Sequence, residues 1–83
     1  MDPKDIKLGY YTNTVGLGIM SKGVPQIRRV IDIVGHYLVY FEIEGRKGVH
    51  TKLLKEFAKW AVEPVKEENV QLLQAEIWKG EAQ

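Results

Sequence analysis

Cysteine is absent from this 83-residue chain, which excludes disulfides and thiolate zinc sites and leaves packing, or association with another subunit, to stabilise a small fold. Nucleophiles are scarce as well, with Ser21 and three threonines in the whole chain. The two histidines, His36 and His50, have no H-x-x-x-H spacing and no acidic cluster beside them, so neither a metal centre nor a catalytic triad is spelled out. The reading is a non-enzyme that carries no cofactor and no metal. Nothing approaches the run of about 18 apolar residues that spans a bilayer. Met1-Asp2-Pro3-Lys4-Asp5 lacks the basic start and apolar stretch of a secretion signal. The expected setting is therefore the cytoplasm, with no membrane partner. Gly16-x-Gly18 followed by Gly23 has neither the Lys-Ser or Lys-Thr pair nor the strand-to-helix context of a phosphate loop; it reads as a flexible connection.

What is present belongs to a globular protein. Hydrophobic residues make up 45% and charged residues 28%, and the length allows one core, so residues 1–83 are expected to form a single domain. Charge is unevenly spread. Residues 1–62 hold ten Lys or Arg against six Asp or Glu, and residues 63–83 hold two against five. The front of the chain is suited to facing an anion, and the tail is not.

Lys7 to Thr12 is short, aromatic and β-favouring, and a glycine-rich loop follows the turn at Asn13. Gln26 to Val34 and Tyr37 to Glu44 are the strongest β runs, separated by Gly35-His36 at hairpin spacing. In the second run Tyr37, Val39, Phe41 and Ile43 form a fully apolar face that marks the core. Neither side of the first run is clean, which predicts a bulge near Val30. After the Glu44-Gly45-Arg46-Lys47-Gly48 turn, Val49-His50 begins a return strand ending at Thr51, a candidate N-cap. Leu53, Leu54, Phe57, Trp60 and Ala61 then recur at helical spacing over 52–60. Val62 to Val65 is a brief closing strand. A last helix is expected over 66–79 with Gly80 as its stop.

Strand, open loop, long hairpin, return strand, helical segment and brief strand follow one another in the order of an SH3-like barrel. The stretch Leu54-x-x-Phe57-x-x-Trp60-Ala61-x-Glu63-Pro64 resembles small SH3-like barrel proteins of phages and plasmids. The resemblance covers roughly residues 6–65 and implies an α+β fold, mainly β: a small SH3-like β-barrel followed by one or two C-terminal helices. It also implies an adaptor or inhibitor made by a mobile element.

Two partner classes fit these residues. Nucleic acid would use a basic surface built from Arg28, Arg29, Arg46, Lys47 and Lys52, with the turn pair Arg46-Lys47 projecting furthest. A protein partner or self-association would use the large apolar residues that so small a core leaves over, namely Tyr11, Tyr40, Leu72, Ile77 and Trp78. A net charge of +1 is thin for a phosphate binder, so protein binding is the primary expectation and nucleic acid the alternative.

Overall fold

The longest apolar alternation in the chain becomes its central hairpin. The computed structural model describes residues 1–15, 20–21 and 24–81. Its strands are β1 (Gly9–Thr12), β2 (Thr14–Val15), β3 (Met20–Ser21), β4 (Ile27–Val34), β5 (Leu38–Ile43), β6 (His50–Leu53) and β7 (Glu63–Val65). Helix α1 (Leu54–Trp60) lies between β6 and β7, and α2 (Val70–Glu81) follows a 3-10 turn at Glu67–Asn69. Five strands make one antiparallel sheet in the order β6-β5-β4-β1-β7, while β2 and β3 pair as a separate two-stranded ribbon. The expected α+β class holds. The sheet is open, because no ladder joins its end strands β6 and β7.

The register sorts side chains onto two faces. Pairings Val30↔Phe41↔His50 and Ile33↔Val39↔Lys52 share one face. There Phe41, Val39, Val30 and Ile43 pack with Tyr11 of β1 and with Leu54, Phe57 and Ala58 of α1. Phe57 is at the centre, with ring centroids 5.3 Å from Phe41, 5.4 Å from Trp60 and 5.9 Å from Tyr11. The other face carries a second cluster, in which Ile27 packs with Val70 and Ile77 of α2, bordered by Tyr10, Val65 and Leu73. The sheet is thus a middle layer with one short helix on each side, which is how a small chain covers both faces.

The β4–β5 register slips between Val30 and Asp32, the bulge that the mixed pattern predicts. The extra residue lets Val30 and Ile33, three apart, reach the same cluster, whereas strict alternation would separate them. Pro64 sits in β7, on the sheet's edge, where its missing N–H leaves no central ladder broken. The last turn of α1 is held by Ala61 N donating to Phe57 O at 2.9 Å. The Met1 ammonium donates to Ala58 O at 2.8 Å and Ala61 O at 3.2 Å, placing positive charge where the helix dipole favours it.

Several sequence expectations need correction. Lys7 and Leu8 precede β1, which starts at Gly9. Tyr37 is in the hairpin turn and exposed, because its N–H bonds back to Val34 O at 3.3 Å and Leu54 N takes its carbonyl at 2.7 Å. Thr51 does not cap α1: Thr51 and Lys52 continue β6 opposite Tyr40 and Val39, and the N-cap is Leu53, without a side-chain hydrogen bond. The strand ladder wins over a single capping bond. Gly80 does not stop α2, which continues to Glu81. The loop expected after Asn13 has the β2–β3 ribbon at its base, and Gly16, Gly18 and Gly23 lie outside the described residues.

Trp78 ties the end of α2 to the β5–β6 turn. Gly45 has φ +82°, and a Cβ there would come 3.1 Å from Trp78 Cζ2. Both the left-handed backbone and the ring demand glycine. Gly45→Val is expected to push Trp78 off the turn, shifting its fluorescence to longer wavelength and lowering the melting temperature; unchanged emission would mean that the ring does not rest there.

Candidate binding surface

The ten residues singled out in the sequence do not form two patches. Arg46 and Lys47 are exposed in the β5–β6 turn, and Lys52 is exposed on edge strand β6. Together with His50 and Lys55, also exposed, they make a basic edge, and no Asp or Glu occurs from Gly45 to Lys55. Arg29 is elsewhere, on the α2 side of the sheet, 5.7 Å from the Tyr10 ring centre and directly across the register from Glu42. Arg28 points to the α1 side and is half-buried. Only three of the five basic candidates share a surface.

The apolar candidates divide in the same way. Tyr11 and Ile77 are core residues, one under α1 and the other under α2, and they leave the interaction surface. Tyr11 is fixed further by its hydroxyl, which accepts from Lys7 N at 2.8 Å. Leu72 (72% exposed) and Trp78 (54% exposed) lie on opposite flanks of α2, since six residues turn a helix through about 240° beyond a full turn. Leu72 borders a groove of about 400 Å³ with Leu73, Pro64, Val65 and Glu76, and Trp78 lies over Gly45. Tyr40 is half-exposed on the α2 side of the sheet, beyond the part that α2 covers.

That uncovered part is the feature the sequence concealed. α2 packs over Ile27, Tyr10 and Val65, at one end of its face. At the other end the register lines up Val34↔Leu38↔Leu53 and, beside it, Asp32↔Tyr40↔Thr51. Val34 is 50% exposed, and Leu38, Tyr40 and Leu53 are each half-buried. Asp32 is held by Oδ1 accepting from Ile33 N at 2.8 Å. The spacing places Val34 and Leu38 in the hairpin but does not say how far along the sheet α2 reaches.

Two polar features were also missed. Thr12, Asn13 and Thr14 are fully buried. Asn13 Oδ1 accepts from Gln26 N and its Nδ2 donates to Val24 O, both at 3.0 Å, while Thr12 Oγ1 donates to Gln26 O at 2.9 Å. This network clamps the two ends of the segment between β1 and β4. Arg28 lies between aromatic rings, and burial lowers its pKa to about 10. The folded chain holds that proton less tightly than the unfolded chain, so the desolvation cost is present at neutral pH and is relieved as pH rises through about 10. Among the described residues no three His, Asp or Glu gather as metal ligands, and no helix is long and apolar enough to cross a membrane. Compared with family models, curated proteins and solved structures, the chain matches none of them.

Proposed function

We propose that the chain is a non-enzymatic binding module, an SH3-like barrel in architecture, that holds a protein partner on the half of its sheet left bare by α2. The order of elements supports the barrel reading: first strand, ribboned loop, long hairpin, return strand, helix and short last strand follow as in small barrels of that type. The bulge at Val30–Asp32 supplies the bend that such a sheet needs. In this reading the protein works in the cytoplasm as an adaptor or inhibitor, a role in keeping with the mobile-element proteins it resembles.

The observation that carries the partner class is the composition of the bare face. Val34, Leu38, Tyr40 and Leu53 form an apolar centre, the charge nearest in register is the Asp32 carboxylate, and one row further Glu42 faces Arg29. An apolar centre with an aromatic anchor suits a protein contact, and the face adds no net positive charge to hold a phosphate backbone. A specific observation favours a second reading, in which the acid-free edge of Arg46, Lys47, His50, Lys52 and Lys55 tracks nucleic acid.

One experiment separates them. The tagged protein is used for affinity capture with and without nuclease, alongside a Val34→Glu/Tyr40→Glu variant and an Arg46→Glu/Lys47→Glu variant, each verified as folded by circular dichroism. The protein reading expects a nuclease-resistant partner that the first variant loses at least about tenfold, a hot-spot effect of ~1.4 kcal/mol or more, and the second retains. Binding that vanishes with nuclease, falls steeply with salt and is lost by the second variant would establish the nucleic-acid reading instead.

A further inference from the structure

Arg28 is a cation whose counter-charge the fold does not contain. Its guanidinium carbon lies 4.0 Å from the Trp60 ring centre and 4.9 Å from that of Phe41. Nε donates to Gln26 Oε1 at 3.0 Å, while Nη1 is closed off from solvent with no acceptor. Among the described residues no carboxylate forms an ion pair with it. A guanidinium drawn partly out of water ordinarily brings a carboxylate with it, because an uncompensated buried charge is costly. Gln26 offers only a neutral acceptor, and the rings offer only their faces. What is missing is an anionic acceptor at the guanidinium edge.

We propose that Arg28 anchors a carboxylate-binding site, its ligand an acidic side chain or C-terminal carboxylate of a protein partner. The source of the ligand rests on the protein-binding reading; the chemistry of the site does not, since free carboxylates share it. Trp60 and Gln26 are half-buried beside it, and because Nη1 is closed off, a carboxylate meets the Nε–Nη2 edge of the planar fork and replaces Gln26 Oε1 at Nε. A phosphate polymer would need further cations within reach. Arg28's neighbours across the ladders are Tyr11 and Ile43, and Lys59, next to Trp60 in the chain, is 3.6 Å from Glu56.

The test is a nuclear magnetic resonance titration of the full chain with acetate, glutarate and a capped peptide containing one glutamate, with acetamide and inorganic phosphate as controls. The Arg28 Nε–H and Trp60 indole N–H signals are expected to shift saturably with each carboxylate and to ignore acetamide. Arg28→Lys keeps the charge and loses the fork, and should weaken binding at least about tenfold. Arg28→Met should abolish binding while melting at the same or a higher temperature, because an unpaired buried charge has been removed. Absence of a saturable shift, an equal response to acetamide, or a lower melting temperature for Arg28→Met would each overturn the site. Tighter binding of phosphate than of any carboxylate would overturn the ligand class. Acetate binding does not depend on Val34 or Tyr40, so the site and the protein-binding reading fail separately.

Discussion

Phe57→Ala is expected to lose about 3–5 kcal/mol of stability, the range for deleting a buried phenyl group. Phe57 is the residue on which the α1-side core converges: it is fully buried and meets Phe41, Trp60 and Tyr11 at ring distances between 5.3 and 5.9 Å. Truncation removes the apolar surface it buries and three aromatic contacts together, and α1 is too short to collapse into the space. Small domains have roughly 5–15 kcal/mol in total, so the variant should be largely unfolded in mild urea. Equilibrium urea denaturation followed by circular dichroism measures this. A loss under about 1 kcal/mol would mean that the α1-side core is not organised around this ring. Phe57→Leu, which keeps most of the volume, should recover the greater part of the stability.

The second large effect is expected at a polar position. Asn13→Ala removes the acceptor for Gln26 N and the donor for Val24 O. A buried backbone group left without a partner costs about 1–3 kcal/mol; Gln26 N is the more enclosed of the two, while Val24 is exposed and its carbonyl can turn to water, so the variant should lose ~1–3 kcal/mol. Asn13→Asp keeps an acceptor for Gln26 N but not the donor for Val24 O, and should fall between the two. Hydrogen exchange at the Gln26 amide reports the break locally. A Gln26 amide protected equally in wild type and Asn13→Ala would show that the side chain is not the clamp.

These two positions mark the limit of what the chain disclosed in advance. Phe57 was legible because Leu54, Phe57 and Ala61 repeat at helical spacing and a helix must bury such a stripe. The β4–β5 hairpin was legible because Val39, Phe41 and Ile43 alternate, and the bulge because Val30 and Ile33 break the alternation. Asn13 was read as a turn residue, its commonest use; its burial depends on Val24 and Gln26, which only tertiary folding brings near. Tyr11 and Ile77 looked like leftovers because one core was counted, whereas the sheet has a helix on each side and two clusters to fill. Arg28 shows the opposite error. A charged residue in a strand reads as solvated, and nothing local in Gln26-Ile27-Arg28-Arg29 announces that Phe41 and Trp60 will close around the first arginine. Pairings between distant residues decide the binding surface, and periodicity reports only on neighbours.

The open sheet has a consequence for behaviour at high concentration. Each end strand offers unpaired backbone groups to a neighbouring molecule, the geometry from which fibrils grow. The two ends are guarded by different chemistry. At β7, Pro64 interrupts the row of donors, and at β6 the strand is four residues long and carries Lys52, whose charge two approaching copies would have to bring together. Because the guards are unlike, neutralising one leaves the other in place. The chain leaves its sheet unfinished at both margins and sets a different obstacle to filament growth at each.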